Sequence, residues 1–121
     1  MLIPRDGSEG YWCECAAFTS ERPILLGGRQ ARTPRPALRW LRSQAMRIAE
    51  QIDAAAAVPV REWCGNALEH EAALRALIAG ELYAVATHDD EAHYVLAACP
   101  MRTMSFLEWW HDIDSEEFQE A

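Results

Sequence analysis

The sequence predicts an α+β fold: a small antiparallel sheet of about four strands, packed on one face by two main helices, with a short C-terminal helix. Two pairs of short apolar runs, each pair joined by a polar turn, are typical of two β-hairpins. Between the pairs, apolar residues recur at every third or fourth position, which is the spacing of an amphipathic helix. Because a lone hairpin is only marginally stable, the two hairpins are expected to pair under the helices.

The first hairpin is predicted near the N-terminus. The run Tyr11–Phe18 is rich in aromatic and small apolar residues and ends at a polar turn, as a strand does. Residues 23–26 are the natural partner strand, and Gly27 and Gly28 are expected to end it. Residues 1–10 mix charges with proline and glycine and are expected to form a loose lead-in.

A long amphipathic helix is predicted from Thr33 to about Asp53. Pro34 suits the first helical position, and the Thr33 hydroxyl can accept a bond from an orphan amide. Five apolar residues fall on one helical face, which must be buried: Leu38, Leu41, Ala45, Ile48 and Ile52.

The alanines at residues 54–57 have high helix propensity and are expected to prolong this helix. Pro59 should then break it near Val58. Residues 60–64 fit either a short strand or a first helical turn, because a glycine and an asparagine follow at once.

A second helix is predicted to begin at Asn66, since Asn66 and Glu69 have the spacing of a capping box. Gly80 supplies its end. The expected apolar side consists of Ala67, Leu74, Leu77 and Ile78, and the exposed side carries Glu69 and His70.

The second hairpin is predicted from two apolar runs, residues 82–87 and 92–99, around the polar turn at residues 88–91. Ser105 and Glu108 then form a capping box in front of two tryptophans, which predicts the short C-terminal helix. Beyond it, residues 112–121 form an acidic tail.

Length and composition indicate one compact domain of 121 residues that includes this tail. No apolar run approaches the roughly 20 residues that span a bilayer, and no secretion signal precedes the first strand. We therefore expect a cytoplasmic protein without a membrane partner, in which the four cysteines are reduced thiols.

No catalytic residue, metal ligand or cofactor is predicted. Cys13 and Cys15 lie two residues apart, but the ligand pairs of structural zinc sites are usually spaced more widely. Cys64 and Cys99 stand alone among apolar residues, so all four thiols are expected to behave as small buried apolar groups. A cysteine-dependent or zinc-binding protein is retained as an alternative.

Charge is segregated along the chain, whose net charge is −8. Residues 22–47 hold seven arginines and no acid, whereas residues 50–121 hold 15 acids and three arginines. The arginines of the long helix should face outward. Together with Arg32, which lies just before the helix, they suit a polyanion: Arg35, Arg39 and Arg42. Direct nucleic-acid binding is thus a second alternative, although the net charge opposes it.

The favoured function is non-enzymatic protein binding, because the second half combines acids with tryptophans suited to interfaces. In size and charge the chain resembles the small acidic proteins with which mobile elements inhibit restriction or CRISPR machinery. That resemblance implies an inhibitor that occupies a basic or nucleic-acid-binding surface of a protein partner; homo-oligomerisation is also open. The predicted partner-binding residues are Glu108, Trp109, Trp110, Asp112, Asp114, Glu116 and Glu117.

Overall fold

The computed structural model describes residues 10–101 and shows one four-stranded antiparallel sheet with helices on one face. The elements, in chain order, are β1 (Tyr11–Phe18), β2 (Pro23–Ala31), α1 (Pro34–Gln51), α2 (Ala54–Cys64), α3 (Ala67–Ile78), β3 (Tyr83–His88) and β4 (His93–Pro100). The strand order is β2-β1-β4-β3. The predicted α+β class and the pairing of the two hairpins through β1 and β4 are therefore confirmed.

The core lies between the sheet and the helices. The predicted apolar face of α1 is confirmed, because Leu38, Leu41, Ala45 and Ile48 are buried and Ile52 is partly buried. From the sheet, alternate residues of the two central strands complete the core: Cys13, Cys15, Leu96 and Ala98. This side of the sheet is called the inner face below.

The start of α1 lacks the predicted threonine cap. Thr33 is the residue before the helix, but its side chain makes no capping hydrogen bond. A threonine cap commonly binds the N–H of the third helical residue, which here is Pro36, and proline has no N–H. Because Pro34 and Pro36 have no N–H group, fewer backbone donors at the start of the helix need a partner.

The predicted break near Val58 is wrong, because the chain breaks at Ile52 and Asp53. The Asp53 carboxylate accepts a hydrogen bond from the Ala56 amide at 2.9 Å and so caps a separate helix, α2. Pro59 lies inside α2 at an exposed position, where it removes one backbone hydrogen bond without ending the helix. Residues 60–64, which the sequence left open, are helical, and residues 10–101 thus contain three helices.

Strand β2 does not end at Gly27 and Gly28 but continues to Ala31. A Cβ atom added to Gly28 would lie 2.7 Å from the ring of Trp12, and one added to Gly27 would lie 3.4 Å from the ring of Trp40. The two glycines therefore admit a tryptophan on each side of the strand, so they serve close packing rather than a turn.

The cap of α3 is confirmed, since the Asn66 side chain accepts a hydrogen bond from the Glu69 amide at 3.0 Å. Its predicted apolar side is partly wrong. Leu77 is buried together with Ala73, whereas Ala67 and Ile78 are exposed. The contact of α3 with the core is narrow, and at 100° per residue Ile78 points well away from Leu77.

Other predicted features lie outside the described residues, namely the loose lead-in before residue 10, the C-terminal helix and the acidic tail. In the part of the chain that is described, no helix combines the length and apolarity needed to cross a membrane.

Candidate protein-interaction surface

Within residues 10–101 the sheet has an apolar edge at β2, which pairs with β1 and with no other described strand. Three consecutive large side chains of this strand are exposed: Ile24 by 39%, Leu25 by 59% and Leu26 by 48%. Their strand is long, with nine residues. Proteins usually protect an edge strand by shortening it or by placing charges on it, and residues 23–28 carry no charge.

The opposite edge strand, β3, is shorter than β2 and exposes smaller apolar side chains. It has six residues, and the exposed positions in it are Ala84, Ala86 and His88. Since alanine offers little apolar area, large exposed apolar side chains in the described sheet are concentrated on β2.

A β-bulge shapes the apolar edge. Cys15 pairs with Gly27 and the next residue, Ala16, pairs with Leu25, so Leu26 is the extra residue of the bulge. Leu26 lines a cleft of about 240 Å³ between β2 and α1, together with Arg47 and Ile48. The bulge thus brings an apolar side chain next to the charged helix.

Arginines surround this edge. Arg22 precedes β2, Arg29 lies within it and Arg32 follows it, and all three are exposed. Because residues 22–47 contain no acid, this charge is not neutralised within the segment. The combined surface of Ile24, Leu25 and Leu26 with these arginines and Arg47 is called the β2 edge surface below.

The four arginines predicted to bind a polyanion are exposed, as expected: Arg32, Arg35, Arg39 and Arg42. One of them also has a structural contact that the sequence did not reveal. Arg42 Nε donates a hydrogen bond to the carbonyl oxygen of Cys64 at 3.1 Å, and Arg61 Nη2 donates one to the carbonyl oxygen of Ala49 at 3.4 Å. Both bonds join α1 to α2.

Comparisons of the chain with protein-family models, with curated proteins and with solved structures find no match. The inference of function therefore depends on the surfaces and groups of the chain itself.

The seven predicted partner-binding residues, from Glu108 to Glu117, lie outside the described residues. Their assignment stays a prediction.

The thiols are buried. Burial raises the pKa of Cys13 to about 12 and that of Cys15 to about 11, and it also raises the pKa of Cys64. A raised pKa disfavours the thiolate, which is the reactive form of cysteine. Within residues 10–101 no three potential ligands among histidine, cysteine and acidic residues come together as a metal site.

A polar cluster links α2, α3 and β3. Trp63 Nε1 donates a hydrogen bond to the Tyr83 hydroxyl at 2.9 Å, and that hydroxyl donates to Glu69 Oε2 at 2.7 Å. His70 Nε2 lies 2.7 Å from the carbonyl oxygen of Trp63. The imidazole ring of His70 also packs edge to face against the indole ring of Trp63.

Sequence reasoning placed Glu69 and His70 on an exposed side, and this is wrong because both are partly buried in this cluster. No sequence signal could reveal it, since its partners approach only through the tertiary fold. Burial, followed by the hydrogen bond to Glu69, raises the pKa of Tyr83 to about 12. The hydroxyl is therefore a neutral donor at pH 7, and its hydrogen bonds link α2, α3 and β3.

Proposed function

We propose that this protein is a non-enzymatic cytoplasmic interaction protein that binds an extended, acidic segment of a protein partner along the β2 edge surface. The observation that carries the proposal is the run of three exposed apolar side chains, Ile24, Leu25 and Leu26, on an edge strand of the described sheet. The buried thiols fit a reducing compartment, where they need no disulfide partners.

An edge strand offers two kinds of contact to an added strand. Its backbone N–H and C=O groups on the open side can continue the hydrogen-bond ladder, and its side chains offer alternating positions for recognition. Covering one leucine fully contributes about 1.5 to 3 kcal/mol. Apolar side chains at the β2 edge therefore supply affinity that a purely polar edge would lack.

Charge selects the partner. An acidic segment would approach Arg22, Arg29, Arg32 and Arg47, and the arginine fork can bind a carboxylate with two parallel hydrogen bonds. Pairing of β2 with β2 of a second copy would instead bring two arginine-rich surfaces together, and repulsion between like charges opposes that.

The exposed arginines also favour a second candidate, binding of a nucleic-acid backbone. The two candidates differ in their use of the apolar side chains, since phosphate contacts do not need leucine. An inhibitor of the kind used by mobile elements would be a special case of the protein-binding function, whether it acts through the β2 edge surface or through the predicted acidic tail.

The proposal can be tested by measuring binding of the protein to synthetic peptides of about ten residues. The probe alternates valine with glutamate, and the comparison peptide alternates valine with lysine. We expect the acidic peptide to bind and the basic one not to bind. A third peptide repeats the acidic sequence with alternate backbone amides methylated, which removes the donors that strand addition needs, so it should not bind.

Variants of the protein test whether the acidic peptide binds at β2. Leu25→Thr keeps a residue suited to strands but removes apolar area, so it should weaken binding of the acidic peptide about tenfold. Leu68→Thr is the matched control, because Leu68 is 78% exposed on α3, away from the sheet edge. Equal losses in the two variants would contradict the proposal, as would undiminished binding of the methylated peptide.

A single-stranded oligonucleotide distinguishes the two candidates. If it binds and competes with the peptide equally well in the wild-type protein and in Leu25→Thr, the arginine surface is the functional one and the strand-addition proposal is wrong.

A further inference from the structure

Helix α3 carries a row of exposed side chains on the side away from the core. The row consists of Leu68, Glu71, Arg75 and Ile78, which follow each other at steps of three, four and three residues and so lie along one side of the helix. All four are exposed. At 100° per residue, each of them points about 100° or more away from Leu77, which packs into the core on the inner face of the sheet. These four residues are called the α3 stripe below.

The two ends of the α3 stripe are the most exposed large apolar side chains in the described part of the chain. Leu68 is 78% exposed and Ile78 is 71% exposed. A single exposed apolar side chain is common on protein surfaces, but these two flank an acid and a base in a regular row. The order along the helix is apolar, negative, positive, apolar. This order becomes its own complement when the direction of the helix is reversed.

An antiparallel second copy of α3 would match the stripe at every position. When a twofold axis relates two helices, residues that lie equally far from the axis on opposite sides face each other. Leu68 and Ile78 both lie five residues from Ala73, and Glu71 and Arg75 both lie two residues from it. With the axis at the level of Ala73, Leu68 of one copy faces Ile78 of the second copy. Glu71 then faces Arg75 of the second copy, and symmetry repeats both contacts.

A groove next to Ile78 fits the apolar end of a second copy. It has a volume of about 390 Å³, lies between α3 and the start of α1, and includes Pro34, Leu74 and Ile78 in its lining. Because Leu68 of the second copy would face Ile78, its side chain can enter this groove. Symmetry places Leu68 of the first copy in the groove of the second. Each copy therefore supplies one projecting apolar side chain and one groove that receives it.

We propose that this protein forms a homodimer through the α3 stripes of two copies, arranged antiparallel about a twofold axis. A partner surface of one charge would match only one of the two central residues, whereas a second copy matches both. Glu69 on α3 is hydrogen-bonded to Tyr83 of β3, the sheet edge opposite β2. The dimer therefore leaves the β2 edge surface open, and it does not depend on the peptide binding proposed above.

The contact between the two stripes is short. Each stripe spans about 15 Å of helix at 1.5 Å per residue, so we expect a dissociation constant in the micromolar range rather than a permanent dimer. The net charge of −8 opposes association at long range, but salt at about 0.15 M screens this repulsion more than it screens charges in contact. Sedimentation equilibrium of the full-length protein at this salt concentration, from about 1 μM to about 1 mM, measures the dissociation constant.

Two variants test the apolar ends of the stripe. Leu68→Gln and Ile78→Gln remove apolar area, and glutamine keeps a high helix propensity. Each should raise the dissociation constant at least about tenfold, because one substitution changes two contacts in a symmetric dimer. Leu25→Thr is the matched control, since Leu25 is 59% exposed on β2 and should leave the dimer unchanged. Circular dichroism checks that each variant has the secondary structure of the wild type.

Exchange of the central charges tests the antiparallel register. Glu71→Arg alone and Arg75→Glu alone each place like charges opposite each other, so each should weaken the dimer about tenfold. The double variant, which carries both substitutions, restores opposite charges and should associate as the wild type does. An equimolar mixture of the two single variants should pair as a heterodimer for the same reason. Because the double variant has the net charge of the wild type, it separates the arrangement of the charges from their sum.

Three results would overturn the proposal. The first is a wild-type protein that stays monomeric up to about 1 mM. The second is a dimer that Leu68→Gln and Ile78→Gln leave unchanged, which would show that another surface forms it. The third is a double charge variant that associates no better than the two single variants, which would contradict the pairing of Glu71 with Arg75 of the second copy.

Discussion

At the scale of single residues, the packing of β2 depends on two glycines that lie between tryptophan rings. Trp12 lies over Gly28 and Trp40 lies over Gly27. Neither glycine has a positive φ, so the backbone does not require glycine at these positions. What requires it at Gly28 is the distance to the neighbouring ring. Trp12 has little freedom to move, since its Nε1 donates a hydrogen bond to Glu14 Oε1 at 2.6 Å.

The two glycines should therefore respond differently to the same change. Gly28→Ala places a Cβ atom 2.7 Å from Trp12 and should destabilise the protein by about 1 to 3 kcal/mol, as overpacking does. Gly27→Ala makes an ordinary contact at 3.4 Å and should change stability by less than about 1 kcal/mol, with a stabilising contribution from the less flexible unfolded chain. Urea denaturation measures both values.

A double variant serves as the control. Trp12→Leu removes the ring, so adding Gly28→Ala to it should cost much less than in the wild type. Equal costs in the two backgrounds would show that the ring is not what excludes a side chain at this position.

At the scale of elements, α1 has a buried apolar face, exposed arginines such as Arg39, and one arginine, Arg42, that hydrogen-bonds to α2. Leu41 is fully buried, so Leu41→Ala should cost about 2 to 5 kcal/mol through lost burial and the cavity that remains. Arg39→Ala changes an exposed residue and should cost no more than about 0.5 kcal/mol. Arg42→Ala should lie between them, at about 1 to 2 kcal/mol, because it leaves the Cys64 carbonyl without its donor. Thermal and urea unfolding of the three variants check this order, and an Arg42→Ala variant as stable as Arg39→Ala would contradict the role given to the bond.

The sequence predicted the elements that depend on periodicity and local chemistry. The inner face of α1, the Asn66 cap and both hairpins follow from spacing that any reader of the chain can count. The break between α1 and α2 was misplaced because two local signals compete, and the capping carboxylate of Asp53 prevails over the proline inside the following helix.

Other features depend on tertiary contacts that no spacing reveals. In the sequence, Gly27 and Gly28 are typical of a turn, but in the fold each lies against a tryptophan ring. In the same way, the sequence places Glu69 on an exposed helix side, but in the fold it accepts a hydrogen bond from Tyr83. The same holds for the candidate site. The exposed arginines could be predicted from the helix, but the identity of the edge strand could not, because strand order is a property of the whole sheet.

At the scale of the whole molecule, folding removes ionisable groups from water. Cys13 and Cys15 lie in the core under the helices, and Tyr83 lies in the polar cluster. An ionised group in such surroundings loses its hydration, so each is held in its neutral form. Burial is the main cause that raises the pKa of all three, from 9.0 to about 12 for Cys13, from 9.0 to about 11 for Cys15 and from 10.0 to about 12 for Tyr83.

These shifts predict a loss of stability in alkali. The unfolded chain releases its thiol protons near pH 9 and its phenol proton near pH 10, whereas the folded chain holds them to about pH 11 or 12. Their contribution is therefore complete below pH 9 and is lost as the pH rises through 9 to 12, because the folded state then binds more protons than the unfolded one. Urea denaturation under reducing conditions should show a free energy of unfolding that falls from pH 9 to pH 11. Cys15→Ala should reduce the steepness of that fall, since it removes one of the titrating groups, and an unchanged slope in this variant would mean that Cys15 ionises as readily in the folded protein as in the unfolded chain.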